Sequence, residues 1–165
     1  MNIGAGARAF IALGANLGDP EASVREAMRR LDDGTLGRVV SRSSLYRSAP
    51  VGMLDQPDFV NAMVEMRTHC SPLELMRALL RLEATMGRIR GERNGPRVID
   101  LDLIAFDSRR FSTDELQLPH PRALQRAFVM LPWSEIAADC DLAGGGKVGQ
   151  VAAGLSTAQI RRLDA

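Results

Sequence analysis

Cysteine is scarce in this chain. Cys70 and Cys140 are the only two among 165 residues, and they stand in no metal-binding spacing. That speaks against disulfide staples and fits a reducing cytoplasm. No apolar run reaches the length of a membrane span. Excess charge of either sign is also missing: 21 basic residues face 20 acidic ones, for a net charge of +1. The balance argues against a nucleic-acid protein held mainly by phosphate contacts. Familiar nucleotide signatures are absent too. Gly144-Gly145-Gly146-Lys147 has the glycines of a phosphate loop, but Val148 stands where the hydroxyl residue is needed and no strand precedes it. Gly4-Ala5-Gly6 lies before the first strand rather than after it, so it is no dinucleotide fingerprint. There is no serine elbow, no zinc spacing and no internal repeat. Met1 to Ala9 lacks the apolar core of a signal peptide, and residues 1–8 read as a loose leader to one domain spanning 1–165.

What is present centres on Arg93-Asn94-Gly95-Pro96-Arg97-Val98-Ile99-Asp100-Leu101-Asp102-Leu103-Ile104. Val98 to Phe106 reads as a strand, central in its sheet because it is so apolar. Alternation puts Ile99, Leu101, Leu103 and Ala105 on one face and Asp100 and Asp102 on the other. Strand residues two apart have Cα atoms about 6.5–7 Å apart, so both carboxylates can reach one divalent cation or hold two. A solvated strand face would look the same in sequence. Ahead of the strand lies a loop with Arg88, Arg90, Arg93 and Arg97, hinged by Gly87, Gly91 and Gly95. It reads either as a lid that clamps an anion or as a solvated surface loop.

The rest of the chain supplies a frame. Phe10 to Gly14 is a short apolar strand, followed by a tight loop at Ala15 to Gly18. Asp19-Pro20 starts a helix whose buried stripe is Val24, Ala27, Met28 and Leu31. Val39 to Arg47 is a second strand, residues 48–58 a long loop, and Phe59 to Met66 a third strand with Phe59 and Asn61 on its far side. That aromatic and amide can sandwich and hydrogen-bond a flat polar heterocycle, or can simply be packed and self-capped. Ser71-Pro72-Leu73-Glu74 is a capping box opening a helix to about Met86, with Met76, Leu79, Leu80 and Glu83 on one stripe. Glu83 there needs a donor or a cation, unless it lies at the solvated rim. Short extended pieces at Phe111 and Leu116 to Leu118 precede His120, which sits between two prolines near arginines. It can be structural or can hold a phosphate or ribose. Arg126 to Ile136 is a helix, distorted near Pro132, and a loop at residues 144–146 and weak helical patterns follow. The order strand, helix, strand, strand, helix, strand gives an α+β fold with a ferredoxin-like βαββαβ core, a mainly antiparallel sheet, helices on one face and C-terminal additions on the other.

Taken together, these segments resemble one family. Arg93-x-Gly95-Pro96-Arg97-x-x-Asp100-Leu101-Asp102-Leu103-Ile104 resembles the signature of the 6-hydroxymethyl-7,8-dihydropterin pyrophosphokinases of folate biosynthesis. Ala12 to Gly18, Tyr46 to Gly52, Asp55 to Ala62, Arg81 to Arg88 and Pro119-His120 resemble its other segments in the right order. The resemblance implies transfer of the pyrophosphoryl group of ATP to the pterin hydroxymethyl group, with release of AMP. It implies that Asp100 and Asp102 bind two Mg2+ ions and that Arg88 and Arg97 meet the charge on the transferring group. Glu83, Arg90, Arg93, Leu103, His120 and Arg126 would lie on the ATP side. Ser48, Ala49, Val51, Phe59, Asn61 and Phe128 would line the pterin pocket. The partners implied are the two small-molecule substrates, with no nucleic acid and no membrane, for a monomer in the cytoplasm. Asn94, Phe59, Leu80 and Pro121 depart from common family residues, which touches the lid and the adenine contacts and leaves the acids and arginines intact. Two other readings fit the residues: a magnesium-dependent enzyme with a different acceptor, and a non-catalytic binding module on the same scaffold.

Overall fold

The computed structural model describes residues 6–89, 95–144 and 146–163. The core elements are β1 (Ala7–Ala15), α1 (Pro20–Leu31), β2 (Arg38–Arg42), β3 (Tyr46–Ser48), β4 (Phe59–Thr68), α2 (Pro72–Thr85) and β5 (Asp100–Phe106). The expected βαββαβ order therefore holds, with one change. The second strand is two strands, because Ser43, Ser44 and Leu45 break it, and both β2 and β3 pair with the same side of β4. Ala7 and Arg8, expected in the leader, are the first residues of β1 and pair with Thr68 and Arg67.

Both helix starts form for the reasons the residues suggest. The Asp19 side chain accepts the Ala22 N–H, Pro20 occupies the first turn, and Val24, Ala27, Met28 and Leu31 are the buried face of α1. Ser71 and Glu74 form the reciprocal capping box of α2. Its buried stripe is Leu75, Ala78, Leu79 and Glu83, which keeps Leu79 and Glu83 of the expected stripe and replaces Met76 and Leu80. Leu80 is 40 % exposed, since α2 meets the sheet about 100° round from Leu80.

The order β3–β4–β1–β5 makes β5 an edge strand, not a central one. Its apolar character has another cause. The α1 and α2 side chains pack on one face with Ile99, Leu101 and Leu103, while Ile104 and Ala105 pack on the other with Trp133 and Val129. The open edge is partly capped, because the His120 N–H donates to the Ile104 carbonyl at 2.8 Å. Ala105 also changes face relative to expectation. Phe10 pairs with Ala105 and Ile11 with Leu103, so Ile104 is the extra residue of a bulge and alternation is lost there.

The second face is covered by a 3-10 turn at Ala123–Gln125 and then α3 (Ala127–Ala137), in line with the expectation for the C-terminal region. The helix runs through Pro132, and Trp133 beneath it is fully buried against Phe10, with ring centroids 5.2 Å apart. Three short pairs or additions complete the chain: β6 (Phe111–Ser112) with β7 (Gln117–Leu118), β8 (Asp141–Leu142) with β9 (Gly146–Lys147), and α4 (Val148–Ala153). Finally β10 (Ile160–Arg162) extends the main sheet by pairing with β3.

Candidate active site

The registers of β1 decide what the cleft floor is made of. Asp100 of β5 pairs with Gly14, and Gly14 pairs with Asn61 of β4. Asp102 pairs with Ala12. Paired residues share a sheet face, so Asp100, Asp102, Asn61 and the two small β1 residues all look the same way. Two strand spacings separate Asp100 from Asn61, or about 10 Å. Nothing rises between them, because Gly14 has no side chain. A Cβ built there would stand 3.4 Å from Asn61 Oδ1. Above this floor lies a cleft of about 430 Å³.

At one end, Asn61 and Ser48 are buried and fixed together, the Asn61 Nδ2 donating to Ser48 Oγ at 2.7 Å. This leaves Asn61 Oδ1 as an acceptor toward Gly14 and the cleft. Ala49, Val51, Phe59 and Phe128 complete that end, and Val51 is 61 % exposed at its mouth. An amide and two aromatics lining one end of a cleft suit a flat ring with polar edges.

The other end is ionic. Gly87, at φ 97°, turns the chain out of α2 and returns Arg88 toward the helix. Arg88 Nη1 then donates to Glu83 Oε2 and Asp100 Oδ1, both at 2.7 Å, while Arg97 Nη1 donates to Asp100 Oδ2 at 2.9 Å. Glu83 is 4 % exposed and accepts the Leu101 N–H at 2.6 Å. It is therefore the buried acid with a donor, not the rim alternative. Burial raises its carboxyl above the usual range, and the Leu101 N–H and Arg88 oppose the rise. Glu83→Ala would leave the Leu101 N–H buried without an acceptor, so it should lower unfolding free energy by about 1–3 kcal/mol in a urea titration.

Asp102 is half-buried on the same cleft face, two residues along β5 from Asp100. Burial first, and then the Asp100 charge, push its carboxyl up to about 8. Among the described residues, no group of three or more His, Cys, Asp or Glu side chains gathers to hold a metal alone. The pair still offers acceptor oxygens close enough to bridge. A divalent ion there would take its other ligands from phosphate and water, the habit of Mg2+.

His120, Arg122 and Arg126 form the remaining wall. The Arg122 N–H donates to His120 Nδ1 at 3.3 Å, which leaves the proton on Nε2. Burial, with Arg126 nearby, lowers the His120 pKa, so it faces the cleft as a neutral donor. Arg126 lies 5.5 Å from the Phe128 ring centroid. Among the described residues neither Arg122 nor Arg126 makes an ion pair. Four arginines against two aspartates leave the cleft an excess of positive charge, suited to a polyphosphate.

The structure thus brings together Ser48, Ala49, Val51, Phe59, Asn61, Arg88, Arg97, Asp100, Asp102, His120, Arg126 and Phe128, with Glu83 directly behind Arg88 and Asp100. Leu103 does not join them. Its side chain is 4 % exposed in the core beneath the helices, on the face opposite Asp102. Arg90, Arg93 and Asn94 lie outside the described residues. Arg122 was missed as a site residue, although its place after His120 in a segment with few acids was a usable signal.

A ferredoxin-like sheet carrying a heterocycle-shaped pocket next to an arginine-rich anion site defines a class: an α+β enzyme for a phosphoryl-type transfer to a small ring. Comparison with known proteins narrows the class. The family model for 7,8-dihydro-6-hydroxymethylpterin-pyrophosphokinase matches residues 10–138. A relative from Methylorubrum extorquens named 2-amino-4-hydroxy-6-hydroxymethyldihydropteridine pyrophosphokinase is 41% identical over 157 residues, covering 95% of this chain and 99% of its own. One of the same name from Bacillus subtilis is 41% identical over 128 residues, covering 78% and 77%. The wild-type HPPK-DHPS of Plasmodium falciparum, solved with pteroate, matches with a TM-score of 0.73 at 13% identity, over 89% of this chain and 42% of that one. The chain spans less than half of that solved protein, and the likeness carries the fold alone. The chain belongs to the 7,8-dihydro-6-hydroxymethylpterin-pyrophosphokinase family.

Proposed function

We propose that this cleft carries out the family reaction, transfer of the pyrophosphoryl group of ATP to 6-hydroxymethyl-7,8-dihydropterin with release of AMP, in folate biosynthesis. One bond forms, from the pterin hydroxymethyl oxygen to the β-phosphorus. One breaks, from that phosphorus to the oxygen that leaves with AMP. The observation that carries the reading is the line Asp100–Gly14–Asn61 across the sheet, an ionic end and a ring-binding end joined by a strand residue with no side chain.

Asn61 and Ser48 would hold the polar edge of the pterin, with Phe59 and Phe128 against its faces. Asp100 and Asp102 would seat two Mg2+ ions, which when bound screen the phosphate charges and orient the triphosphate. In the structure Arg88 and Arg97 are held by Asp100. With the carboxylate engaged elsewhere, their donors are free to turn to the transferring group, already positioned beside it. His120 Nε2, Arg122 and Arg126 would hold the nucleotide phosphates or ribose, joined by Arg90 and Arg93 of the basic loop. The chain has no described helix long and apolar enough to cross a membrane, and we take it to act as a cytoplasmic monomer.

Protein mixed with ATP, Mg2+ and hydroxymethyldihydropterin should produce AMP in step with pyrophosphorylated pterin. ADP as the nucleotide product would falsify the reading. Arg122→Ala should raise the KM for ATP about tenfold and change kcat far less, as expected for a residue that binds ground and transition states alike. Initial-rate kinetics at varied ATP check this.

A further inference from the structure

Asn16 directly follows β1 and is 3 % exposed, yet it lines no part of the cleft. Its hydrogen bonds go to two other segments. The Arg97 N–H donates to Asn16 Oδ1 at 2.8 Å, and the Asn16 N–H donates back to the Arg97 carbonyl at 3.0 Å. Asn16 Nδ2 donates to Gln56 Oε1 and to the Pro57 carbonyl, each at 2.9 Å. Gln56 in turn ties down its own loop, its Nε2 donating to the Met53 carbonyl at 2.7 Å. One buried side chain therefore joins the turn that presents Arg97 to the loop that leads into Phe59 and Asn61. A primary amide suits this, because the Arg97 N–H needs an acceptor while Gln56 Oε1 and the Pro57 carbonyl need two donors, more than a hydroxyl or a neutral imidazole supplies.

We propose that Asn16 is a positioning residue that couples the two halves of the active site. It sets the height of Arg97 through its acceptor and the seat of the ring-binding loop through its donors. Arg97 and Asn61 come from segments far apart in the chain, so their relative placement needs a shared anchor. A misplacement on the order of 1 Å at a reacting group can cost about 10²-fold in rate. This inference rests on the placement of Arg97 at the transferring group.

The test uses the full chain and steady-state kinetics for both substrates. Asn16→Ala should lower kcat by about 10²-fold and raise the pterin KM about tenfold. Asn16→Asp keeps the acceptor for the Arg97 N–H and loses the donor for Pro57, so it should recover much of kcat while leaving the pterin KM high. Gln56→Ala should raise the pterin KM with a smaller effect on kcat. Because Asn16 acts through Arg97, adding Asn16→Ala to Arg97→Ala should lower kcat by no more than about twofold beyond Arg97→Ala alone. Losses that multiply in the double variant would overturn the coupling, and so would an Asn16→Ala enzyme within twofold of wild type in both constants. If Asn16→Ala does not fold, the Asn16→Asp and Gln56→Ala pair decides: a matched fall in kcat and rise in KM for both would overturn it. If Arg97→Ala itself keeps full turnover, the reading of Arg97 fails, and the loop arm is judged on the pterin KM alone.

Discussion

Asp102→Asn should lower turnover about a thousandfold, the rate equivalent of the several kcal/mol that a lost dication contact withdraws from a phosphoryl transition state. Asparagine keeps the shape and the neutral hydrogen-bonding capacity of the protonated acid. It removes only the ability to become an anion when a cation arrives. The same substitution should change stability in the opposite sense when no Mg2+ is present. The Asp102 carboxyl is held up at about 8 in the folded protein, far above its ordinary value. Below that ordinary value both folded and unfolded chains carry the proton, and the group does not oppose folding. As pH rises toward about 8 the unfolded chain gives up the proton while the folded one keeps it, so stability falls across that window. In Asp102→Asn this contribution to the slope disappears. Melting temperatures measured in chelator at pH 5 and pH 8 should therefore differ less in the variant than in wild type, the remaining difference coming from Glu83, whose carboxyl is also raised. A variant equally active, or one with an unchanged pH slope, contradicts the role given to Asp102.

Arg97→Ala should lower kcat by about 10²–10³-fold, the loss seen when one donor to developing negative charge is removed. The pterin dissociation constant should move far less. Arg97 touches the cleft from the ionic side, 2.9 Å from Asp100 Oδ2, while the residues at the other end come from β3 and the loop after it, β4 and α3. A guanidinium that stabilises only the transferring group spends its interaction in the transition state. Equal losses in turnover and in pterin affinity would place it in ground-state binding instead. Arg97→Lys should recover only part of the rate, since a point charge lacks the two-pronged fit to phosphate oxygens.

Local chemistry made part of this molecule legible in the sequence. The Asp19-Pro20 start and the Ser71/Glu74 box act within four residues of chain, and both helices begin where they do for those reasons. Alternation put Asp100 and Asp102 on one face, which the structure keeps, because the bulge at Ile104 comes only after them. What was not legible depends on distant chain. Apolar composition reports burial, not rank in a sheet, so β5 looked central although it lies at an edge covered on both faces. Leu80 has the right spacing for the α2 stripe but the wrong azimuth, which only packing on the sheet sets. Three residues of β10 pair with β3 across more than a hundred positions, with no periodicity to announce them. Asn16 reads as an ordinary loop amide, and its importance lies in partners 40 to 81 residues away. The small residues Ala12 and Gly14 read only as part of a short apolar strand, and become the cleft floor only through their registers with Asp102, Asp100 and Asn61.

Crystals grown with Mn2+, a non-hydrolysable ATP analogue and the pterin would test the central claim by anomalous scattering. Metal peaks should appear within about 2.2 Å of carboxylate oxygens from both Asp100 and Asp102, with phosphate oxygens completing their coordination and the pterin ring against Asn61. Metal bound to phosphate alone, out of reach of both aspartates, would contradict it.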